Sequence, residues 1–279
     1  MHLNFSFSAV QTLWTLTFAA LLVLMVVLLG RDRVRRFPWF TTAIVLTALR
    51  LLASRLLFGR LANLPLSIIF IGLAEVALLV GFLVLVELAR RSFAGLGGRA
   101  WRVGTLVLLA VGGGVLAVWG PWPNWKTLDH SSLGGTLQLL QIVAQKGQLL
   151  LDLLTVELGL LIILLGDRYR AGWRTHPQLI AIGLSTVSLG QMAVEGIWQL
   201  IATKTVLHSH ADYDHILDLR DKFFNANSAL YVLVVIWWIV SLWIDEPGTV
   251  SEADSGTVAE LSSTSEAEKP AATTPPVTE

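Results

Sequence analysis

Read from its amino terminus, the chain alternates long apolar stretches with short polar ones that carry arginine. Runs such as LLVLMVVLLG (21–30), VALLVGFLVLV (76–86) and LLIILLG (160–166) have the character of lipid-solvated helices. A hydrocarbon core about 30 Å thick takes roughly 20 apolar residues at about 1.5 Å rise per residue. The pattern predicts seven spans, at 8–30, 38–58, 64–88, 103–120, 134–166, 177–202 and 223–244. The fourth is short and holds Gly112-Gly113-Gly114 at its centre. Such glycines either unwind a helix around a substrate or admit a close neighbouring helix, and packing is the commoner use. The fifth exceeds the bilayer thickness, so it tilts or projects. The expected fold is therefore an all-α integral membrane protein, a seven-transmembrane-helix bundle, with no internal repeat.

Polar residues inside the spans are few and ordered. Ionisable groups in a bilayer cost several kcal/mol each by insertion scales, roughly 3 kcal/mol at a helix centre, and call for a partner, a cavity or a function. They are Arg50, Arg55, Glu75, Lys146, Asp152, Glu157 and Glu195. In the fifth span Gln138, Gln141, Gln145, Gln148 and Asp152 follow spacings of 3, 4, 3 and 4, and so share one helix face. In the sixth, Ser188, Gln191, Glu195 and Gln199 do the same. Two such stripes are expected to face each other or a common space. By contrast Val80–Val86, Leu160–Leu165 and Val232–Val240 carry no charge. Asn225 and Asn227 are read as opening the seventh span.

Composition sharpens this picture. The chain is 54% hydrophobic and only 14% charged, against roughly a quarter charged in soluble domains. The absence of cysteine excludes disulfides, thiolate metal sites and cysteine nucleophiles. Arginines gather in RDRVRRF (31–37), ARRSFAGLGGRAWR (89–102) and GDRYRAGWR (166–174). The positive-inside rule makes these loops cytoplasmic, with the amino terminus outside and the carboxyl terminus inside. Tryptophans 39, 101, 119, 122, 125, 173 and 243 sit where an interfacial belt is expected. Residues 1–245 are read as the membrane domain. Residues 246–279 are read as a disordered cytoplasmic tail, poor in apolar residues, with seven acidic residues and one lysine. The zero net charge thus divides into −6 for the tail and +6 for the remainder.

Two motifs invite chemistry. HSHADYDH (208–215) offers His208, His210, Asp212, Asp214 and His215 in the loop before the seventh span. On an extended segment these nitrogen and oxygen donors suit zinc, nickel or copper, so a divalent metal is the one cofactor to consider. The alternatives are a solvated loop, a histidine pH sensor, or an interfacial helix from Asp212 leading into the span. The stretch resembles the HxHxDH zinc motif of the metallo-β-lactamase fold, but Tyr213 and Asp214 interrupt it and no soluble αββα domain surrounds it. DRY at 167–169 resembles a G-protein-coupled receptor signature. It ends the fifth helix rather than the third, and a positive-inside cluster accounts for it.

These features predict a membrane-embedded sensing or ligand-binding protein with an outward-facing polar cavity. Its lining is expected from Arg50, Arg55, Glu75, Gln145, Gln148, Asp152, Gln191 and Glu195. Arg50 or Arg55 suits an anionic group of a ligand, with Glu75 and Glu195 as counter-charges when no ligand is bound. The general architecture is similar to the seven-helix sensory regions of bacterial signalling proteins. A bacterial cytoplasmic (inner) membrane is the expected location, the lipid bilayer the expected surroundings, and a separate membrane or cytoplasmic effector the expected partner; nucleic acid is not expected. The alternatives are a transporter or channel relaying through Glu75, Asp152 and Glu195, an integral membrane enzyme or metal-binding protein built on the His/Asp loop, and a structural or assembly partner.

Overall fold

The structure is a computed structural model, described here for residues 9–93, 110–115, 117–118, 133–166, 175–204 and 210–245. Among these residues the regular structure is entirely helical. The main helices are α1 (Ala9–Gly30), the single turn α2 (Arg33–Arg36), α3 (Pro38–Leu57), α4 (Asn63–Ser92), α5 (Leu133–Gly166), α6 (His176–Lys204) and α7 (His210–Trp243). Six of them are long and apolar enough to cross a membrane. The predicted fourth span, 103–120, lies mostly outside the described residues; its described part, 110–115, is helical. The acidic tail also lies outside them.

Local chemistry sets several of the ends. Pro38 opens α3, where its missing N–H is not needed, and Pro177 does the same in the first turn of α6. Between α1 and α2 the chain reverses through Asp32, whose φ of 50° is one that aspartate tolerates better than most residues. Helix α7 begins at His210 and runs unbroken for 34 residues, so Asn225 and Asn227 stand in its middle instead of at its start. The apolar pattern sensed only the lipid-facing half of this helix, because its first three turns carry Asp214, Asp218, Arg220, Asp221 and Lys222.

The six long helices close a ring in chain order. Each packs on the next, α1 on α3, α3 on α4 and so to α7, which returns to α1; α4 also reaches α6. Gly81 faces Leu151 and Gly147 faces Leu78, so α4 and α5 ascend in register and are parallel neighbours. Gly112 packs against Leu150 and Leu154, which places that glycine in a helix–helix contact within a helical stretch.

The core occupies one end of this ring. Leu24 and Leu28 of α1, Phe40 and Ile44 of α3, Val84 and Leu88 of α4, Leu158 and Ile162 of α5, Ile180 of α6, and Val235, Trp238 and Leu242 of α7 are all buried in one cluster. Every one lies in the half of its helix nearer the arginine-rich loops. Phe40 meets Trp238 edge-on at 5.2 Å between ring centroids, and Trp238 fits against Gly183, where a β-carbon would collide with the indole. Moving away from the arginine loops, the last buried residues are Thr17, Ala48, Leu78, Asp152, Val194 and Val232. Beyond them no described residue is buried. One end of the bundle is closed by hydrocarbon and the other is loosely packed.

Candidate functional site

The two polar stripes meet. The Ser188 hydroxyl donates to Asp152 Oδ1 at 2.8 Å, and the Gln148 amide donates to the same oxygen at 3.2 Å. Asp152 is only 6% exposed although it is ionisable. Next to it Ser185 donates to the backbone carbonyl of Thr155 at 2.7 Å, stitching α6 to α5. Toward the loose end the Gln191 amide donates to Glu195 Oε1 at 2.8 Å, and the Asn227 amide donates to Gln191 Oε1 at 2.7 Å, bringing α7 into the network. Six side chains from three helices therefore form a polar belt of two hydrogen-bonded groups, Gln148–Asp152–Ser188 between α5 and α6 and Gln191–Glu195–Asn227 between α6 and α7, just above the hydrocarbon plug.

Helix α7 supplies two residues that its sequence pattern had obscured. Phe224, Asn227, Tyr231, Val234 and Trp238 recur at spacings of 3, 4, 3 and 4, a single helix face, and Arg220 stands one turn before Phe224 on it. Tyr231 packs partly buried against the core, and Trp238 enters it. Arg220 lies over Trp198 and over Phe224, its guanidinium 5.4 Å from each ring centroid. A cation and two aromatic faces thus stand about 10 Å from Asn227, two helical turns toward the loose end. Read as loop, 208–222 has no face; read as helix, it has this one.

Of the eight residues expected to line a cavity, Gln148, Asp152, Gln191 and Glu195 join the belt, and Gln145 stands exposed one turn beyond Gln148 on the same stripe. Arg50, Arg55 and Glu75 are on α3 and α4 and do not join it. Arg55 continues the interior face of α3 marked by Phe40, Ile44, Ala48 and Leu51, and is exposed where packing has ended. Glu75 is half-buried, with Oε1 buried and without a hydrogen-bond partner among the described residues; Glu157 Oε2 is in the same condition. No ion pair joins Arg50 or Arg55 to Glu75 or Glu195 among the described residues. The expected counter-charge pairing is therefore absent there, and the group that assembles is acidic, built on the neighbouring pair α5 and α6.

At the closed end one buried carboxylate was missed. Glu87 is 8% exposed and its Oε2 accepts the backbone N–H of Phe40 at 3.2 Å, while Oε1 meets Arg91 at 3.4 Å. The N-cap residue of α3, Phe37, has no side-chain acceptor, so Glu87 caps α3 from α4. Arg91 and Arg36 lie over the Phe37 ring at 5.1 and 5.7 Å. A carboxylate placed four residues before an arginine was the available signal, and the extension of α4 from the expected end at 88 to Ser92 is what puts Arg91 on the same helix.

The His/Asp stretch is mostly outside this description. His208 is not among the described residues, and neither are the side chains of His210, Asp212 and His215; Asp214 is exposed. From His210 onward the backbone is helical, which replaces the extended geometry expected for alternating ligands by the expected helix into the last span. Among the described residues no group of three His, Cys, Asp or Glu side chains is placed to hold a metal ion. Comparison of the chain with protein-family models, with curated proteins and with solved structures returns no match.

Proposed function

We propose that the chain is a seven-pass protein that receives a small ligand from the extracytoplasmic side and acts as a membrane-embedded sensor or binding protein. The observation that carries this is the position of the polar belt. Asp152, Ser188, Gln191, Glu195 and Asn227 lie between a packed hydrocarbon plug and an end of the bundle in which no described residue is buried. Polar groups left in lipid at this depth are costly, and a hydrated or ligand-filled cavity removes that cost.

The parallel arrangement of α4 and α5 supports the seventh crossing. On this reading the chain leaves α4 at the arginine-loop end, recrosses the bilayer between residues 93 and 133 and enters α5 at the other end, and the helical stretch 110–115, with Gly112 against Leu150 and Leu154, supports it. Seven crossings put the termini on opposite sides. The arginine-rich loops then put the carboxyl terminus in the cytoplasm, here that of a bacterial inner membrane. Output passes to a separate effector through the arginine-rich face or the acidic tail.

The absence of cysteine makes the test direct. Gln148→Cys is expected to react with a membrane-impermeant maleimide added from the extracytoplasmic side, and Leu158→Cys, nearly three turns deeper, is not. Equal protection of both positions overturns the cavity. A transporter relaying through Glu75, Asp152 and Glu195 needs a polar route through Phe40, Leu88, Leu158 and Trp238, all buried. Proteoliposome flux abolished by Glu195→Gln is the result that would favour it.

A further inference from the structure

At the closed end, residues 31–37 and 87–93 carry six arginines against two acids, Asp32 and Glu87, a net charge of +4. Neither acid offsets much of it. Asp32 meets Arg35 at 3.8 Å with both side chains open to solvent, a weak pairing. Glu87 is buried, with one oxygen on the Phe40 amide and the other on Nη2 of Arg91. That contact engages one of the five N–H donors of Arg91, and Glu87 is its hydrogen-bond partner among the described residues. Arg90, beside it in the last turn of α4, is exposed and enters no ion pair among the described residues.

Aromatic packing gathers these charges. Phe37 is 0% exposed, and Arg91 of α4 and Arg36 of α2 both lie over its ring. Their distances to the ring put the two guanidinium centres within about 11 Å of each other, close to one Debye length at 0.1 M salt, so their repulsion is only partly screened. Like charges from two helices are thus held side by side, and an anion bound to both relieves them. Guanidinium forks match phosphate oxygens in geometry as well as in charge.

Depth decides which phosphate. Val86 ends the charge-free run of α4. At about 1.5 Å per residue Arg90 and Arg91 stand about 6–8 Å beyond it, and the headgroup layer is roughly 5–8 Å deep on each side of the hydrocarbon. Exposed Trp39, two residues from Phe37, and exposed Trp243, under Arg31, mark the same boundary. A phospholipid already holds its phosphate at this level. A zwitterionic headgroup brings its own cation and gains little from the positive charge, whereas an anionic one gains from every arginine.

We propose that the junction of α2 with the end of α4 binds the phosphate of an anionic phospholipid through Arg36, Arg90 and Arg91. The site is independent of the cavity at the opposite end of the bundle and of which leaflet the junction faces.

Native mass spectrometry of the full chain in a neutral detergent reads the binding, with phosphatidylglycerol, phosphatidylcholine and soluble glycerol phosphate as probes in separate arms. Phosphatidylglycerol is expected to bind saturably and about tenfold or more tightly than phosphatidylcholine. Arg90→Gln, which removes a charge without removing an ion pair of the described residues, is expected to weaken phosphatidylglycerol about fivefold, and Arg36→Gln with Arg90→Gln more than tenfold. Arg60→Gln, past the other end of α3, leaves it unchanged. Equal affinity for the two lipids overturns the proposal, as does a phosphatidylglycerol preference that survives the double substitution. Displacement of the lipid by glycerol phosphate at comparable concentration also overturns it, since the site would then take a soluble phosphate ester.

Discussion

Single residues define what each end of this bundle does. At the closed end Glu87 combines three contacts that a neutral residue cannot reproduce: the Phe40 amide, Arg91, and through Arg91 the face of Phe37. Glu87→Ala leaves a buried amide without an acceptor and is expected to lower stability by about 2 kcal/mol, in the range of a lost charge-assisted hydrogen bond. Glu87→Gln, which keeps an acceptor, is expected to lose less. Thermal unfolding of purified protein in detergent measures both, and an unchanged midpoint for Glu87→Ala would remove the cap from the account. Glu87 also marks a limit of pattern reading. It sits immediately after the charge-free Val80–Val86 run, at the last turn of the expected span 64–88, so sequence alone treats it as the polar end of that helix and assigns the following arginines to a loop. Only the packed neighbour, the uncapped start of α3, explains why a carboxylate is retained there.

At the scale of helices, legibility followed lipid exposure. Helices α1, α3, α5 and α6 begin and end within about two residues of their expected spans, because their whole lengths obey one apolar or striped pattern. Helix α7 did not, since a periodic face that is apolar at one end and carries Arg220 and Asn227 at the other gives no continuous hydropathy signal. The glutamine stripe of α5 and the Ser188–Gln199 stripe of α6 were legible as faces, and the structure places Asp152 against Ser188 as that reading requires. Which helix supplied the third wall was not legible, because an asparagine in mid-helix looks the same as one at a helix start. The α5–α6 contact can be measured as a coupling. Asp152→Asn and Ser188→Ala, singly and together, form a double-mutant cycle whose interaction energy is expected at about 1–2 kcal/mol, as for a buried bond to a charged group. Chemical unfolding in detergent supplies the four values, and strict additivity would mean that the two stripes do not hold these helices together.

For the whole molecule, the decisive relation is the parallelism of α4 and α5. Antiparallel helices joined by a short loop say nothing about further crossings, but parallel neighbours consecutive among the described helices are what the proposed seventh crossing between residues 93 and 133 would produce. Six crossings would place both termini on one side of the membrane; seven place them on opposite sides. The first arginine loop, 31–37, adjoins the buried cluster through Phe37, and Arg31 stacks on Trp243 at 4.8 Å at the end of α7. A tryptophan under an arginine is the arrangement that the positive-inside reading expects at the cytoplasmic surface. A protease site or epitope appended to the carboxyl terminus is therefore expected to be protected in intact cells, and one at the amino terminus accessible from outside. Accessibility of both on the same side would eliminate the seventh crossing. It would also separate the polar belt from any assigned face of the membrane, so the direction of ligand entry depends on the same measurement.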